Sequence, residues 1–292
     1  MMAANQKSII WLASYPKSGN TWTRVFLANY IFDRKEPMPI NQVHRLGIGD
    51  SVEKTYRMAA QASGQPFVNM ADYRQTLALR APVLRAIVNN DADVNFVKTH
   101  NRRTKAFGIE LIPPALTRSA IYILRNPLDM VPSYARHFGL THEETVAAIR
   151  RSDNSTAGAG GTAAQFLGTW SEHVQSWARC RDFPVLVLRY EDLQADPAAA
   201  FTQVLKHIGV PPDPERVARA IEFSSFDELR RQEDEHDFVE RVSSERFFHS
   251  GQSGRWREGK WEGALDPDLA DRICRDHAKV MGRHGYLPGD GT

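Results

Sequence analysis

Four short apolar runs, each bounded by turn or polar residues, constrain this chain more than any other feature. They are SIIWLAS (8–14), VNFVKT (94–99), SAIYILR (119–125) and PVLVLRY (184–190). Compact runs of this kind predict the buried strands of a parallel sheet. Helical patterns separate them. Trp22, Val25, Phe26 and Tyr30 fall on one helix face after the first run, and Phe166, Trp170, Val174 and Trp177 share one before the last. Asp196-Pro197, Asp213-Pro214 and Asp266-Pro267 predict three helix starts, with Asp capping free amides and Pro at a position whose N–H would have no partner. Gly209 predicts a helix stop. Strands alternating with helices give an α/β domain of three layers, with right-handed crossovers around a mainly parallel sheet. No repeat or Pro-rich linker divides the chain, so residues 1–292 are expected to form one domain. Two segments, 152–165 (small and polar) and 231–255 (charged, then Gly/Ser-rich), are expected to be mobile loops of the kind that cover a site.

Composition narrows the function. A net charge of +2 is far from the dense positive field of a nucleic-acid binder, and 42% hydrophobic with 25% charged residues is ordinary for a globular protein. Two cysteines, Cys180 and Cys274, make no disulfide framework and no metal-ligand spacing, which fits a reducing compartment. No apolar run reaches the ~20 residues of a membrane span. The run Ile9 to Ala13 is too short for a signal-peptide core, and a cytoplasmic protein is expected.

In open parallel sheets, ligands bind beyond the carboxyl ends of the strands. The first run leads into Tyr15-Pro16-Lys17-Ser18-Gly19-Asn20-Thr21-Trp22, a turn with one glycine before a helix. Its amides would cradle a phosphate, with Lys17 as a point charge and Ser18 and Thr21 as donors, although the Walker A spacing is absent. An ordinary strand–turn–helix with a surface Lys is the bland alternative. The second run ends in Lys98-Thr99-His100. The third continues as Arg125-Asn126-Pro127, where Asn126 caps a helix, Asp129 sits in its first turn, and Pro132 is expected to kink it. Arg125 and Ser133, two helical turns apart, are placed to hold one anion together. The fourth ends in Arg189-Tyr190-Glu191-Asp192, a further helix start.

These residues carry a family resemblance. YPKSGNTW resembles the 5′-phosphosulfate loop of the cytosolic-type sulfotransferases, and the Arg125 to Ser133 segment resembles their 3′-phosphate motif. GTWSEHVQSW followed by VLVLRYEDL is similar to another stretch of that family, and FFHSGQSGRW (247–256) resembles its carboxyl-terminal F-x-x-G-x-x-G-x-W motif. The resemblance covers Ile9 to Trp256 in order. It implies a P-loop-like α/β fold that binds 3′-phosphoadenosine 5′-phosphosulfate (PAPS) as donor and releases the bisphosphate PAP.

Carried over residue by residue, the resemblance implies that Lys17 contacts the bridging oxygen and that Ser18, Gly19, Asn20 and Thr21 donate to the 5′-phosphate. Trp22 would stack on adenine, joined by Phe226 in the segment Ser224-Ser225-Phe226, with Tyr190 nearby. Arg125 and Ser133 would take the 3′-phosphate. Phe248, His249, Ser250, Gly251 and Gly254 would close the carboxyl-terminal loop over the nucleotide. His100 resembles the family's catalytic base in the K-[TS]-H segment; Lys98 and Ser133 complete the catalytic set with Lys17. Two departures stand out. Asn20 replaces a frequent Thr but keeps a donor. His249-Ser250 replace Arg-Lys, a weaker phosphate grip, with Arg255, Arg257 and Lys260 as the candidates to compensate.

An imidazole near its free pKa suits a general base, and Lys17 would stabilise charge on the leaving phosphate. A sulfuryl group carries less charge than a terminal phosphoryl, so a Mg²⁺ clamp is less necessary, and no metal is expected. The acceptor is expected to be a small molecule or glycan bearing a hydroxyl, with an amine second. Its pocket would draw on Leu46 to Phe67, 101–112, Tyr134 to Phe138 and the two loops, where Arg102, Arg103 and Lys105 tilt the reading toward anionic acceptors. No nucleic-acid partner is expected. The family's dimer motif is not recognisable, so the oligomeric state, a homodimer included, stays open. Two alternatives remain: a P-loop kinase-like phosphotransferase using ATP, and a non-catalytic nucleotide-binding protein on the same fold.

Overall fold

The computed structural model describes residues 7–65, 67–156, 161–240, 247–248 and 261–287. Among them a parallel five-stranded sheet is flanked by helices, in the order β2-β3-β1-β6-β7. The strands are β1 (Ser8–Ser14), β2 (Gly47–Gly49), β3 (Val94–Thr99), β6 (Thr117–Leu124) and β7 (Val185–Arg189). A two-stranded antiparallel hairpin, β4 (Lys105–Ala106) with β5 (Ile109–Glu110), stands apart from the sheet. The register aligns Ser8 with Val94 and Ala13 with Thr99, so β1 and β3 end side by side. Every residue of β1 is buried, as an apolar run at the middle of a doubly covered sheet requires.

The helices are α1 (Asn20–Ile31), α2 (Glu53–Ala62), α3 (Tyr73–Ala78), α4 (Arg80–Val88), α5 (Pro127–Phe138), α6 (His142–Ile149), α7 (Trp170–Ala178), α8 (Tyr190–Ala195), α9 (Pro197–His207), α10 (Pro214–Phe223), α11 (Phe226–His236) and α12 (Pro267–Arg283). The three Asp-Pro pairs all open helices: Asp196, Asp213 and Asp266 accept from the N–H groups of Ala199, Arg216 and Asp268. Gly209 turns left-handed just past α9, with φ 78°.

Several expectations need correction. β2 carries no apolar signature; its Gly47 lies so close to the Phe96 backbone that a Cβ would collide with the Phe96 carbonyl. Phe166 is not helical: it bridges to Ser155, and α7 starts at Trp170 behind a capping box of Thr169 and Glu172. α5 runs unbroken through Pro132. The described parts of the 152–165 loop are tied down, with Thr162 bridged to Val52 and the Ala163 N–H donating to the Ser51 carbonyl. The charged start of the second loop is helical, because α11 extends to His236.

The chain divides into two compact units. The first comprises residues 1–15, 47–122 and 151–187, and takes in the whole sheet except the last two residues of β6 and of β7. The second comprises residues 16–46, 123–150 and 188–292. The core of the first unit includes Trp11, Tyr122, Trp170 and Trp177; that of the second includes Phe26, Tyr30 and Phe201, with the Phe26 and Phe201 rings stacked at 3.8 Å. Among the described residues no helix is long and apolar enough to cross a membrane.

Candidate active site

Each unit carries a polar cluster at the ends of its strands or helices. In the first unit it is centred on His100, the residue after β3. The imidazole Nδ1 lies 2.8 Å from the Ser14 carbonyl and 3.2 Å from the Ser14 hydroxyl. A carbonyl only accepts, so this contact favours a proton on Nδ1, which in a neutral ring leaves the lone pair on Nε2. The His100 N–H donates to Gln165 Oε1 at 2.7 Å, and the His100 carbonyl accepts from His173 Nε2 at 3.0 Å. His173 in turn takes a proton bond at Nδ1 from the Tyr122 hydroxyl, 2.9 Å away. Burial pushes the His173 pKa down to about 3, so this second histidine is a neutral strut at physiological pH. Lys98 sits two residues earlier on β3, where its carbonyl accepts from the Asp50 N–H.

In the second unit the loop before α1 forms a cradle. Lys17 and Gly19 both have positive φ, 67° and 99°. Gly19 caps α1 without any side-chain bond, and the first turn carries no acidic residue. The uncapped N–H groups and the helix dipole make that end a place for an anion. Ser18 is buried and its hydroxyl has no partner among the described residues; the same is true of Arg125 Nε and Trp22 Nε1. Arg125 reaches the loop directly, donating to the Lys17 carbonyl at 2.9 Å, and its guanidinium lies 4.6 Å over the Tyr190 ring. A Cβ at Gly19 would fall 2.5 Å from Tyr190 Cδ2, so the loop approaches that ring as only glycine allows. Asn20 and Thr21 are buried at the start of α1.

Trp22 is perpendicular to the Tyr190 and Phe201 rings and belongs, with Phe226 and Phe247, to an apolar cluster built around Val25, Leu229, Phe238 and Phe248. The Lys17 ammonium sits 3.5 Å over the Phe247 ring. Glu233 accepts from the N–H groups of Phe247 and Phe248, at 2.6 and 2.8 Å. Asn126 caps α5 as expected, and its own N–H goes to Glu191 Oε1, whose other oxygen accepts from Tyr286. Burial raises the Tyr190 pKa, so its phenol stays protonated.

The second unit thus brings together Lys17, Ser18, Gly19, Asn20, Thr21, Trp22, Arg125, Tyr190, Phe226 and Phe248, and it carries Ser133, buried on α5. His100 and Lys98 belong to the first unit. Ser225 caps α11, its hydroxyl accepting from the Glu228 N–H. His249, Ser250, Gly251, Gly254, Arg255, Arg257 and Lys260 lie outside the described residues. Arg102 pairs with Glu172 at 2.8 Å and Arg103 with Asp182, so two of the three cations taken to favour an anionic acceptor are already neutralised. The residues that hold His100 (Ser14, Gln165 and His173) carry no local sequence signal, because their contacts span 65 to 86 positions.

A family model described as the sulfotransferase domain matches residues 7–285. The chain belongs to the sulfotransferase family. Among its curated relatives, Sulfotransferase 1A1 of the dog (Canis lupus familiaris) is 24% identical over 94% of this chain and 84% of its own length. Sulfotransferase 1 family member D1 of the mouse (Mus musculus) is 24% identical over 85% of this chain and 76% of its own. The fold agrees with solved structures. Retinol dehydratase in complex with androsterone and inactive cofactor PAP superposes with a TM-score of 0.62 at 20% identity, covering 94% of this chain and 81% of that one. Mouse sulfotransferase SULT7A1 complexed with PAP gives 0.58 at 18% identity, over 94% and 84%.

Proposed function

We propose that this sulfotransferase takes its sulfuryl group from PAPS and passes it to a hydroxyl of a small-molecule or glycan acceptor, with an amine as second choice. The observation that carries the reading is the uncapped start of α1. Buried Ser18 and half-buried Trp22 and Arg125 present inward polar atoms that have no partner among the described residues, beside a glycine that lets the loop close on Tyr190. Such orphaned donors carry a desolvation penalty that an anionic nucleotide would relieve. In this reading Lys17, Ser18, Gly19, Asn20 and Thr21 hold the 5′ side, Arg125 and Ser133 the 3′-phosphate, and Trp22, Phe226 and Tyr190 the adenine. Retinol dehydratase and SULT7A1 bind PAP on the same fold, which supports this choice of nucleotide.

The bound donor would supply an electrophilic sulfur with a bisphosphate leaving group. His100 contributes the base: with Nδ1 protonated toward Ser14, its Nε2 is the atom that accepts the acceptor's hydroxyl proton as oxygen bonds to sulfur. The Lys17 ammonium stabilises the charge left on the phosphate oxygen when the S–O bond breaks. With Arg102 and Arg103 engaged in ion pairs, a neutral acceptor fits better than an anionic one.

The test is a thermal-shift titration with PAP, ADP and ATP–Mg²⁺. At 100 times its dissociation constant a ligand adds about 2.7 kcal/mol, several degrees for a chain of this size. Stabilisation by PAP alone is expected; a response to ATP–Mg²⁺ alone would promote the kinase-like reading. His100→Ala should lower turnover by about 10²–10⁴-fold while PAP binds as before. Near-normal turnover in that variant would remove His100 as the base, and no turnover by the parent chain with any of a broad set of phenols, alcohols and amines would favour a nucleotide-binding role.

A further inference from the structure

Asp50 follows β2 and is completely buried. One of its carboxylate oxygens, Oδ2, accepts three bonds: from Arg80 at 2.7 Å, Thr99 Oγ1 at 2.7 Å and Asn101 Nδ2 at 3.1 Å. The other, Oδ1, has no partner among the described residues. Arg80, buried as well, also donates to the Asp50 and Leu111 carbonyls and bonds the Tyr56 side chain. A buried ion pair of this kind seldom stabilises a fold more than apolar side chains of the same volume, and an orphaned carboxylate oxygen adds a penalty. Stability is therefore poorly served by Asp50. Its partners suggest another purpose, for Thr99 and Asn101 are the residues immediately before and after His100.

We propose that Asp50 is a positioning residue for His100. The inference rests on the reading of His100 as the base. By gripping both neighbours through one oxygen, Asp50 fixes the peptide units on either side of the histidine. Gln165 and His173 complete the hold on its N–H and carbonyl. With the backbone fixed, Nδ1 is held closest to the Ser14 carbonyl, at 2.8 Å, against 3.2 Å to the Ser14 hydroxyl. That contact selects the tautomer with the proton on Nδ1, leaving Nε2 able to accept. Once the grip is loosened, the imidazole relaxes toward the tautomer favoured in water, with the proton on Nε2, which cannot take a proton there.

The experiment reads the tautomer directly on the unliganded chain. Histidine-labelled ¹⁵N protein is studied by long-range ¹H–¹⁵N correlation at a pH where the ring is neutral, and the His100 signals are assigned by their loss in His100→Ala. The parent chain should show the Nδ1–H pattern. Thr99→Val removes the hydroxyl at constant shape and should move the pattern to Nε2–H or an average; Thr99→Ser restores the hydroxyl and should restore the pattern. Asn101→Ser, which leaves the Thr99 bond intact, gives the same reading should Thr99→Val not fold. In turnover, Thr99→Val should lose about tenfold to a hundredfold in kcat, as for a reacting group displaced by about an ångström, with the KM for PAPS unchanged. An unaltered Nδ1–H pattern in Thr99→Val overturns the proposal. Activity surviving in His100→Ala overturns only the base assignment, so the two failures are separate.

Discussion

Gly19→Ala tests the cradle at its tightest point. The added methyl would sit 2.5 Å from Tyr190 Cδ2 and 2.9 Å from Cε2, against an optimal carbon–carbon separation of about 3.5–4.0 Å. The ring or the loop must therefore yield by about 1 Å. The residue's φ of 99° adds a second penalty of about 1–3 kcal/mol for any side chain. Neither partner can yield alone, because Arg125 lies over the Tyr190 ring and also donates to the Lys17 carbonyl. A displacement of about 1 Å in a positioned site typically costs 10²-fold. At about 1.4 kcal/mol per decade, PAP affinity should fall by about 2.8 kcal/mol. Isothermal titration of PAP into the parent chain and the variant measures this, with melting temperatures recorded in parallel. Shrinking the ring in Gly19→Ala/Tyr190→Leu removes the steric part, leaves the φ part, and sacrifices the cation–π contact. PAP binding by Gly19→Ala within about twofold of the parent would refute the argument that close approach to Tyr190 shapes this site.

The pH dependence of stability should carry the signature of His173. Its pKa falls from 6.5 in the unfolded chain to about 3 when buried, so below pH 6.5 the unfolded state binds the proton that the native state refuses, and stability declines as pH falls. Between pH 7.5 and 5.0 this residue alone should account for a loss of about 2 kcal/mol, which urea titrations at both pH values would detect and which His173→Gln should reduce. Buried His277, brought down to about 4 by burial, acts in the same direction. Asp50→Leu should destabilise by about 3–5 kcal/mol because it strands the Arg80 charge, and Asp50→Leu/Arg80→Met should recover much of that loss; equal stabilities for the single and double variants would count against the pairing. Thr169→Ala removes the cap of α7 and should lower stability by about 1 kcal/mol, with no change in PAP affinity. Lys17→Met should reduce turnover by about 10²–10³-fold, a smaller effect on PAP binding being the sign that the ammonium acts on the leaving group.

Much of this protein is legible in local chemistry. The central strands β1 and β3 follow from apolar runs that have no other stable use, and Asn126 and the three Asp-Pro pairs announce helix starts because capping involves residues two or three apart. The capping box Thr169-x-x-Glu172 is an equally local signal, and it overrules the apolar spacing that runs from Phe166 into α7. The cradle residues from Lys17 to Trp22 lie in one stretch at a strand end, so their grouping needs no knowledge of the fold.

The remainder depends on contacts that only folding creates. Gly47–Gly49 is a strand because it pairs with β3, where the Phe96 backbone leaves no room for a side chain at position 47, not because of any propensity of its own. Arg102 and Arg103 read as free cations until Glu172 and Asp182 are brought to them from 70 and 79 positions away. The same holds for His100. Its identity and its place after a strand are written in the sequence, but which ring nitrogen keeps the proton is decided by Ser14, 86 residues distant, and by the backbone clamp of Asp50, Gln165 and His173. Side-chain type and local spacing determine what chemistry is available; tautomer, charge pairing and close approach are set by partners that share no sequence neighbourhood, and so belong to the tertiary structure alone.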